Sequence, residues 1–430
     1  MAFLEITEVS QATPAGGLRG SYIDRPVVGA GTHATTFGIA GWVLGARSPA
    51  REIQVMEDGL AARTIPVSVA RPDVVAVHRG APEVSGFEST VSTLGLESEF
   101  TLRLDAVLED GTRVDVGSLR GRREAVVPSY QPRFRPLLVT SLGRTGTTLL
   151  MNVLSAHPAI VAYRIHPYEI FPARYWLHLL RVLAEPADHA NSSHPSYFAQ
   201  DIQRIGHHPF NQSPITEHSV LGEFFGRSYV ERLASFSLES IDGFYDALSR
   251  VEDKPEAQFY AEKFQPDHLP RIAYELDPRT KELILVRDFR DLVCSVFAFN
   301  QKRGTVDFGR ERFSNDEDYV RYIALHARRL VQAWKSRQAT SKLVRYEELA
   351  MSPHDTLTEI LAYVGVDRSP ETVNQLVRIA FESPELDGHR TSGSVQESIG
   401  RWRRELPRSL RRVVNESLDG VVSELGYEVA

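Results

Sequence analysis

Leu137–His157 reads LLVTSLGRTGTTLLMNVLSAH, and the rest of the chain is organised around it. Leu137, Leu138 and Val139 form a short apolar run of the kind that makes a buried parallel strand. The run breaks at Ser141-Leu142-Gly143-Arg144-Thr145-Gly146. Beyond the break, Leu149, Leu150, Val153 and Leu154 share one helical face, with Asn152, Ser155 and His157 off it. Strand, glycine-rich turn and helix together make a cradle for phosphate. The glycines let several backbone N–H groups converge, and the helix adds its positive N-terminal end. Thr147 and Thr148 offer hydroxyls there, and Arg144 offers a full charge. The plainer reading is a strand-to-helix turn that merely contains two glycines.

Working outward, 430 residues exceed one ordinary domain, so two are expected. With 42% hydrophobic and 24% charged residues, the chain can bury a sizeable core without staples. Its 49 basic against 56 acidic residues leave a net charge of −7, which argues against a general binder of nucleic acid or membrane surface. An anionic ligand must therefore be held by a local cluster of cations. A single cysteine, Cys294, excludes an internal disulfide and a cysteine-rich metal site. The opening MAFLEITEVSQATPAGG has acidic residues and no apolar core, unlike a secretory leader. No apolar run reaches the roughly 18 residues that a membrane span needs. These features predict a cytoplasmic protein with no transmembrane segment.

Residues 1–130 read as a β-rich domain. Strand candidates lie around Thr36–Val43, Glu52–Met56, Ile65–Val69, Val74–Val77, Thr90–Thr93, Phe100–Val107 and Thr112–Val116. Turn signals separate them, and Asp110-Gly111 between two β-rich arms is the clearest hairpin. Such spacing predicts an all-β sandwich of immunoglobulin-like type. Trp42, Phe87 and His78 fit core or edge positions better than carbohydrate contacts. The basic patch Arg120-Gly121-Arg122-Arg123 reads as a solvated edge, and the prolines at 128, 132 and 136 read as a linker.

Residues 131–430 alternate strands and helices, which predicts a parallel sheet flanked by helices on both faces. Ile160–Tyr163, Gln258–Phe264, Glu282–Val286 and Lys342–Val344 are the further strand candidates. Residues 186–215, rich in His, Pro, Ser and Asn, read as a loop-helix insert. Ligands in such sheets bind at the carboxyl ends of the strands. At one such end stands Arg287, and Ser295 follows eight positions later (295 minus 287). A strand-end arginine and a serine on the next helix can grip one phosphate by a fork and a hydroxyl. Asp288 and Asp291 are placed to pair with Arg290 locally.

Together these elements resemble the sulfotransferases that use 3′-phosphoadenosine 5′-phosphosulfate (PAPS). SLGRTGTTLLMNVLSAHP resembles their 5′-phosphosulfate loop; Arg144, Gly146, Thr147 and Thr148 match, and Thr145 replaces the usual Ser. LVRDFRDLVCS resembles their 3′-phosphate element through Arg287 and Ser295. LVRYEELAMSP resembles the late strand followed by Tyr-Glu-Asp-Leu. HRTSGSVQESIGRWRREL resembles the segment that closes over the nucleotide, with Thr391, Ser392, Ser394, Ile399, Gly400, Arg401 and Trp402. The resemblance covers about residues 136–406 and implies a P-loop-like fold, PAPS as donor and PAP as product. It implies no metal. A Walker-type loop would need Gly-Lys at the turn, which is absent here.

The implied chemistry is in-line attack on sulfur by an acceptor oxygen or nitrogen, so positioning and cations at the leaving oxygen carry catalysis. Arg144 suits that role. Lys263 in FYAEKF resembles the family's strand-end lysine, with Phe264 where Thr or Pro is usual. The acceptor's proton needs a base. The resemblance puts it in AYRIHPYEIFPARYWLH, where Glu169 and His166 both qualify and Glu169 is preferred. The acceptor is then a glycan, glycolipid or small metabolite. A P-loop kinase or nucleotide hydrolase, or a non-catalytic carbohydrate- or partner-binding protein, is the alternative. A homo-oligomer built through the β-domain or the long helices is compatible with the sequence.

Overall fold

The computed structural model describes residues 2–429 apart from 14–15, 58, 166–167, 186–219, 222–223, 225, 383–390 and 395. The expected insert at 186–215 and the base candidate His166 lie outside the described residues. The chain divides into two compact units. One comprises Met1–Gln131, Tyr175–Ser240 and Arg271–Leu276; the other comprises Pro132–Arg174, Ile241–Pro270 and Asp277–Ala430.

In the first unit, described residues form ten strands: β1 (Leu4–Gln11), β2 (Leu18–Arg25), β3 (Gly31–Thr32), β4 (Thr36–Gly45), β5 (Ala50–Glu57), β6 (Leu60–Pro66), β7 (Val69–Ala70), β8 (Val84–Ser92), β9 (Glu99–Leu108) and β10 (Arg113–Arg123). They make two antiparallel sheets, ordered β3-β1-β10-β9-β5-β6 and β2-β4-β8-β7. Phe37 of β4 stacks on Phe100 of β9 at 6.5 Å, so those two faces meet. The strand expected at Val74–Val77 is instead helix α1 (Pro72–Val77). Pro72 presets the first helical turn, Asp73 favours its N-terminus, and only Val74 is buried. The patch at Arg120–Arg123 is no sheet edge, because β10 lies between β1 and β9. Arg123 is buried and pairs with Glu275, which also accepts the Val126 N–H at 2.9 Å. Phe87 is a core residue, 1% exposed.

The second unit carries strands β11 (Arg135–Ser141), β12 (Ile160–Val161), β13 (Phe259–Phe264), β14 (Lys281–Val286) and β15 (Ser341–Arg345). They form one parallel sheet, ordered β12-β13-β11-β14-β15. Helix α2 (Thr147–Ala156) follows β11, and α3 (Pro172–Leu183) follows β12. Helix α4 (Arg227–Val251) precedes β13, and α5 (Leu269–Leu276) follows it. Next come α6 (Phe289–Arg303), α7 (Asp316–Ser336), α8 (Tyr346–Met351), α9 (Pro353–Val364), α10 (Pro370–Glu382), α11 (Trp402–Glu405) and α12 (Arg408–Glu424).

Alternation along the strands splits the core between the two faces of this sheet. Leu283 and Leu285 join Leu137, Val139 and the α2, α9 and α10 side chains. Ile284 and Val286 join α6, α7 and α12. Burial on both faces is why β11 and β14 read as nearly continuous apolar runs. The exception, Glu282, is fully buried and is held by Arg337 at 2.7 Å. Strand order turns in opposite directions on either side of β11, and the crevice beyond its carboxyl end is where such sheets bind ligands. Among the described residues, no helix is long and apolar enough to cross a membrane.

Candidate active site

The turn after β11 is shaped by two residues with left-handed backbone. Arg144 has φ 67° and Gly146 has φ 96°. Positive φ is uncommon in a non-glycine residue and curls successive N–H groups toward one point. At Gly146 a side chain is impossible without movement, since a Cβ would stand 2.5 Å from the Tyr346 ring. Thr145 is fully buried and turns its hydroxyl to the Leu142 carbonyl, 2.8 Å away, so it braces the turn. Thr147 and Thr148 open helix α2 and are half-buried.

One side of this loop gathers guanidiniums. Arg287, directly after β14, is 5% exposed and donates to the Arg144 carbonyl at 3.2 Å and the Ser398 carbonyl at 2.6 Å. Its guanidinium lies over the Tyr346 ring at 4.6 Å. Its buried Nε has no hydrogen-bond partner among the described residues. Arg144 donates to Ser295 Oγ at 3.3 Å and stacks on Phe299 at 4.3 Å. Burial, then Arg287 and Arg401, push the Arg144 guanidinium down to about 10. Ser295 Oγ is 3.3 Å from Thr391 Oγ1, to which Arg401 donates at 2.9 Å.

The segment 391–402 is fastened by Asp291, which accepts the Gly400 N–H at 2.6 Å and the Trp402 N–H at 2.9 Å. The expected pairing of Asp291 with Arg290 is thus replaced; Arg290 pairs with Asp288 and Asp419 instead. Trp402, expected at the nucleotide, is a buried core residue with Arg290 stacked on its ring at 4.2 Å. The Ser394 hydroxyl accepts the Glu397 N–H at 3.1 Å.

The other side of the loop holds Lys263, near the end of β13. Parallel pairing sets Lys263 beside Val139, just before the turn. Its ammonium donates to Thr148 Oγ1 at 3.3 Å and lies 4.0 Å from Glu169. Burial pushes this ammonium down to about 8, with Glu169 pulling it back up. The Glu169 side chain is 62% exposed. Glu262, fully buried, accepts the Ala173 and Arg174 N–H groups at 2.8 and 2.9 Å and the Tyr245 hydroxyl at 2.7 Å. Burial pushes its carboxyl up to about 7, against those donors. It thereby holds the start of α3, three residues beyond Glu169 (172 minus 169).

The structure therefore joins Arg144, Arg287, Ser295 and Arg401 in one cluster and Thr148, Lys263 and Glu169 in another. Sequence reasoning missed Tyr346 and Asp291 as site-builders. Tyr346 stood in a motif already quoted, while the backbone partners of Asp291 lie over a hundred positions away. Chemically, the first cluster suits a dense anion. The second sets a cation, a hydroxyl and a carboxylate around a reacting group.

A family model described as the sulfotransferase family matches residues 136–370. No curated protein matches the chain. Among solved structures, a sulfotransferase domain from the curacin biosynthetic pathway is 14% identical, with a TM-score of 0.38 over 70% of this chain and 100% of that one. Sulfotransferase STF9 from Mycobacterium avium is 17% identical, with a TM-score of 0.33 over 67% and 77% of the two chains. Mouse sulfotransferase SULT7A1 complexed with PAP is 11% identical, with a TM-score of 0.36 over 70% and 91%. The family match spans more than half of the 430 residues, and on it the chain belongs to the sulfotransferase family.

Proposed function

We propose that the chain transfers the sulfuryl group of PAPS to a hydroxyl of a glycan, glycolipid or small metabolite. One observation carries the choice of donor. Arg144 and Arg401 reach Ser295 and Thr391, with Arg287 bonded to the Arg144 carbonyl, although each charge raises the cost of the next. A 3′-phosphate among them offsets that repulsion and gives the buried Arg287 Nε a partner. PAPS would supply a sulfuryl group whose bond to the bridging phosphate oxygen breaks on transfer.

The loop N–H groups with Gly146, Thr147 and Thr148 hold the 5′-phosphosulfate. Lys263, anchored on Thr148, stabilises charge on the leaving oxygen, with Arg144 on the other side of the loop. Glu169 takes the acceptor's proton, with the Lys263 ammonium 4.0 Å away. Residues 131–430 act as the catalytic domain, and 1–130 as an accessory β-sandwich of immunoglobulin-like type. Calorimetry with PAP, PAPS, ATP and a UDP-sugar tests the reading. PAP and PAPS should bind, and ATP should not compete; tight metal-dependent ATP binding would instead favour a kinase.

A further inference from the structure

An arginine fork is selective only when its plane is held, and what holds Arg287 is a second layer behind it. Arg287 stands at the junction of β14 and α6, so the backbone at residue 288 aims its side chain. The Asp288 N–H donates to Glu347 at 2.9 Å. The other Glu347 oxygen accepts the Tyr427 hydroxyl at 2.8 Å. Glu347 directly follows Tyr346, whose ring carries the Arg287 guanidinium at 4.6 Å. On its side-chain end, Asp288 caps α6 through the Arg290 N–H at 3.0 Å. Arg290, 1% exposed, pairs with Asp288 and donates to the Glu428 carbonyl at 2.7 Å. Residues 427 and 428 thus fasten the peptide after Arg287 twice, once through each end of Asp288. Neither Glu347 nor Tyr427 has a hydrogen bond to the Arg287 guanidinium among the bonds described.

We propose that Glu347 and Tyr427 are positioning residues that hold Arg287 so that the site distinguishes a 3′-phosphorylated nucleotide from one lacking that phosphate. The inference rests on the PAPS reading above. Its consequence is selective: loosening this layer weakens the grip on the 3′-phosphate more than that of the 5′-phosphate loop, which Arg287 reaches only through the Arg144 carbonyl. A merely structural role would weaken both grips together.

The test is calorimetry on the full chain with PAP and with 5′-AMP, which lacks the 3′-phosphate, alongside melting temperatures. Wild-type protein should bind PAP more tightly than AMP. Glu347→Ala should weaken PAP on the order of tenfold, the size of one charge-assisted bond, and leave AMP within about twofold. Tyr427→Phe should move the same ratio by less. An unchanged ratio in Glu347→Ala overturns the positioning role, and an unchanged ratio in Tyr427→Phe alone removes Tyr427 from it. If Glu347→Ala does not fold, Glu347→Gln is read by the same ratio. A wild-type protein that binds PAP and AMP alike would overturn the PAPS reading itself, a result separate from failure of the positioning role.

Discussion

The two sides of the loop after β11 are built to different densities. Around Arg287, guanidiniums, hydroxyls, a tyrosine ring and main-chain carbonyls interlock before any ligand is considered. Around Lys263, the described residues set a buried ammonium beside the Thr148 hydroxyl and a carboxylate that is mostly in solvent. A phosphate has the same shape in every turnover, so fixing its partners in advance lowers the ordering cost of binding. On the proposed reading the Lys263 side faces the acceptor, which must enter and leave, and an exposed Glu169 suits that traffic. Affinity should therefore reside on the first side and rate on the second.

That division can be broken experimentally. The largest effect is expected on rate. Glu169→Gln should slow PAPS turnover, followed as PAP release, by about 10²–10⁴-fold while PAP binding holds. Collapse of PAP binding in that variant would show that the two sides are not separable. Arg287→Ala should cost about a hundredfold in PAP affinity by calorimetry, since it removes a charge-assisted fork. Gly146→Ala sharpens the role of the turn. Its Cβ meets the Tyr346 ring and its φ is 96°, so a loss of about 1–3 kcal/mol should appear as a lower melting temperature. The gentlest test is pH. In its proposed role Lys263 must be protonated, and it loses its proton as pH rises through about 8, so the rate should fall on the alkaline side near that value. At pH 8 about half the activity is lost, and Lys263→Arg should move the limb upward.

Much of this architecture was legible in local pattern. The apolar runs at 137–139 and 283–286, with helical spacing after each, announced the βα units. Val74–Val77 misled because four apolar residues carry no period of their own, and Pro72, two residues earlier at the helix start, decided for helix. Trp402 misled because the matching motif places its residue type but not its side-chain direction; here the ring faces the second core. The reading of Asp291 failed for another reason. A nearby arginine was visible, whereas the N–H groups of Gly400 and Trp402 became available only once residues 391–402 folded back.

By itself, the sequence determined the order of the candidate motifs and the type of element each sits on, because both depend on neighbours within a turn or a strand. Only the tertiary structure decided which charges meet. Arg144 lies with Ser295 and Arg401, and Lys263 with Thr148 and Glu169, across separations of up to 257 positions (401 minus 144). Those meetings are set by the parallel register of β13, β11 and β14, in which a slip of one residue would turn each side chain to the opposite face.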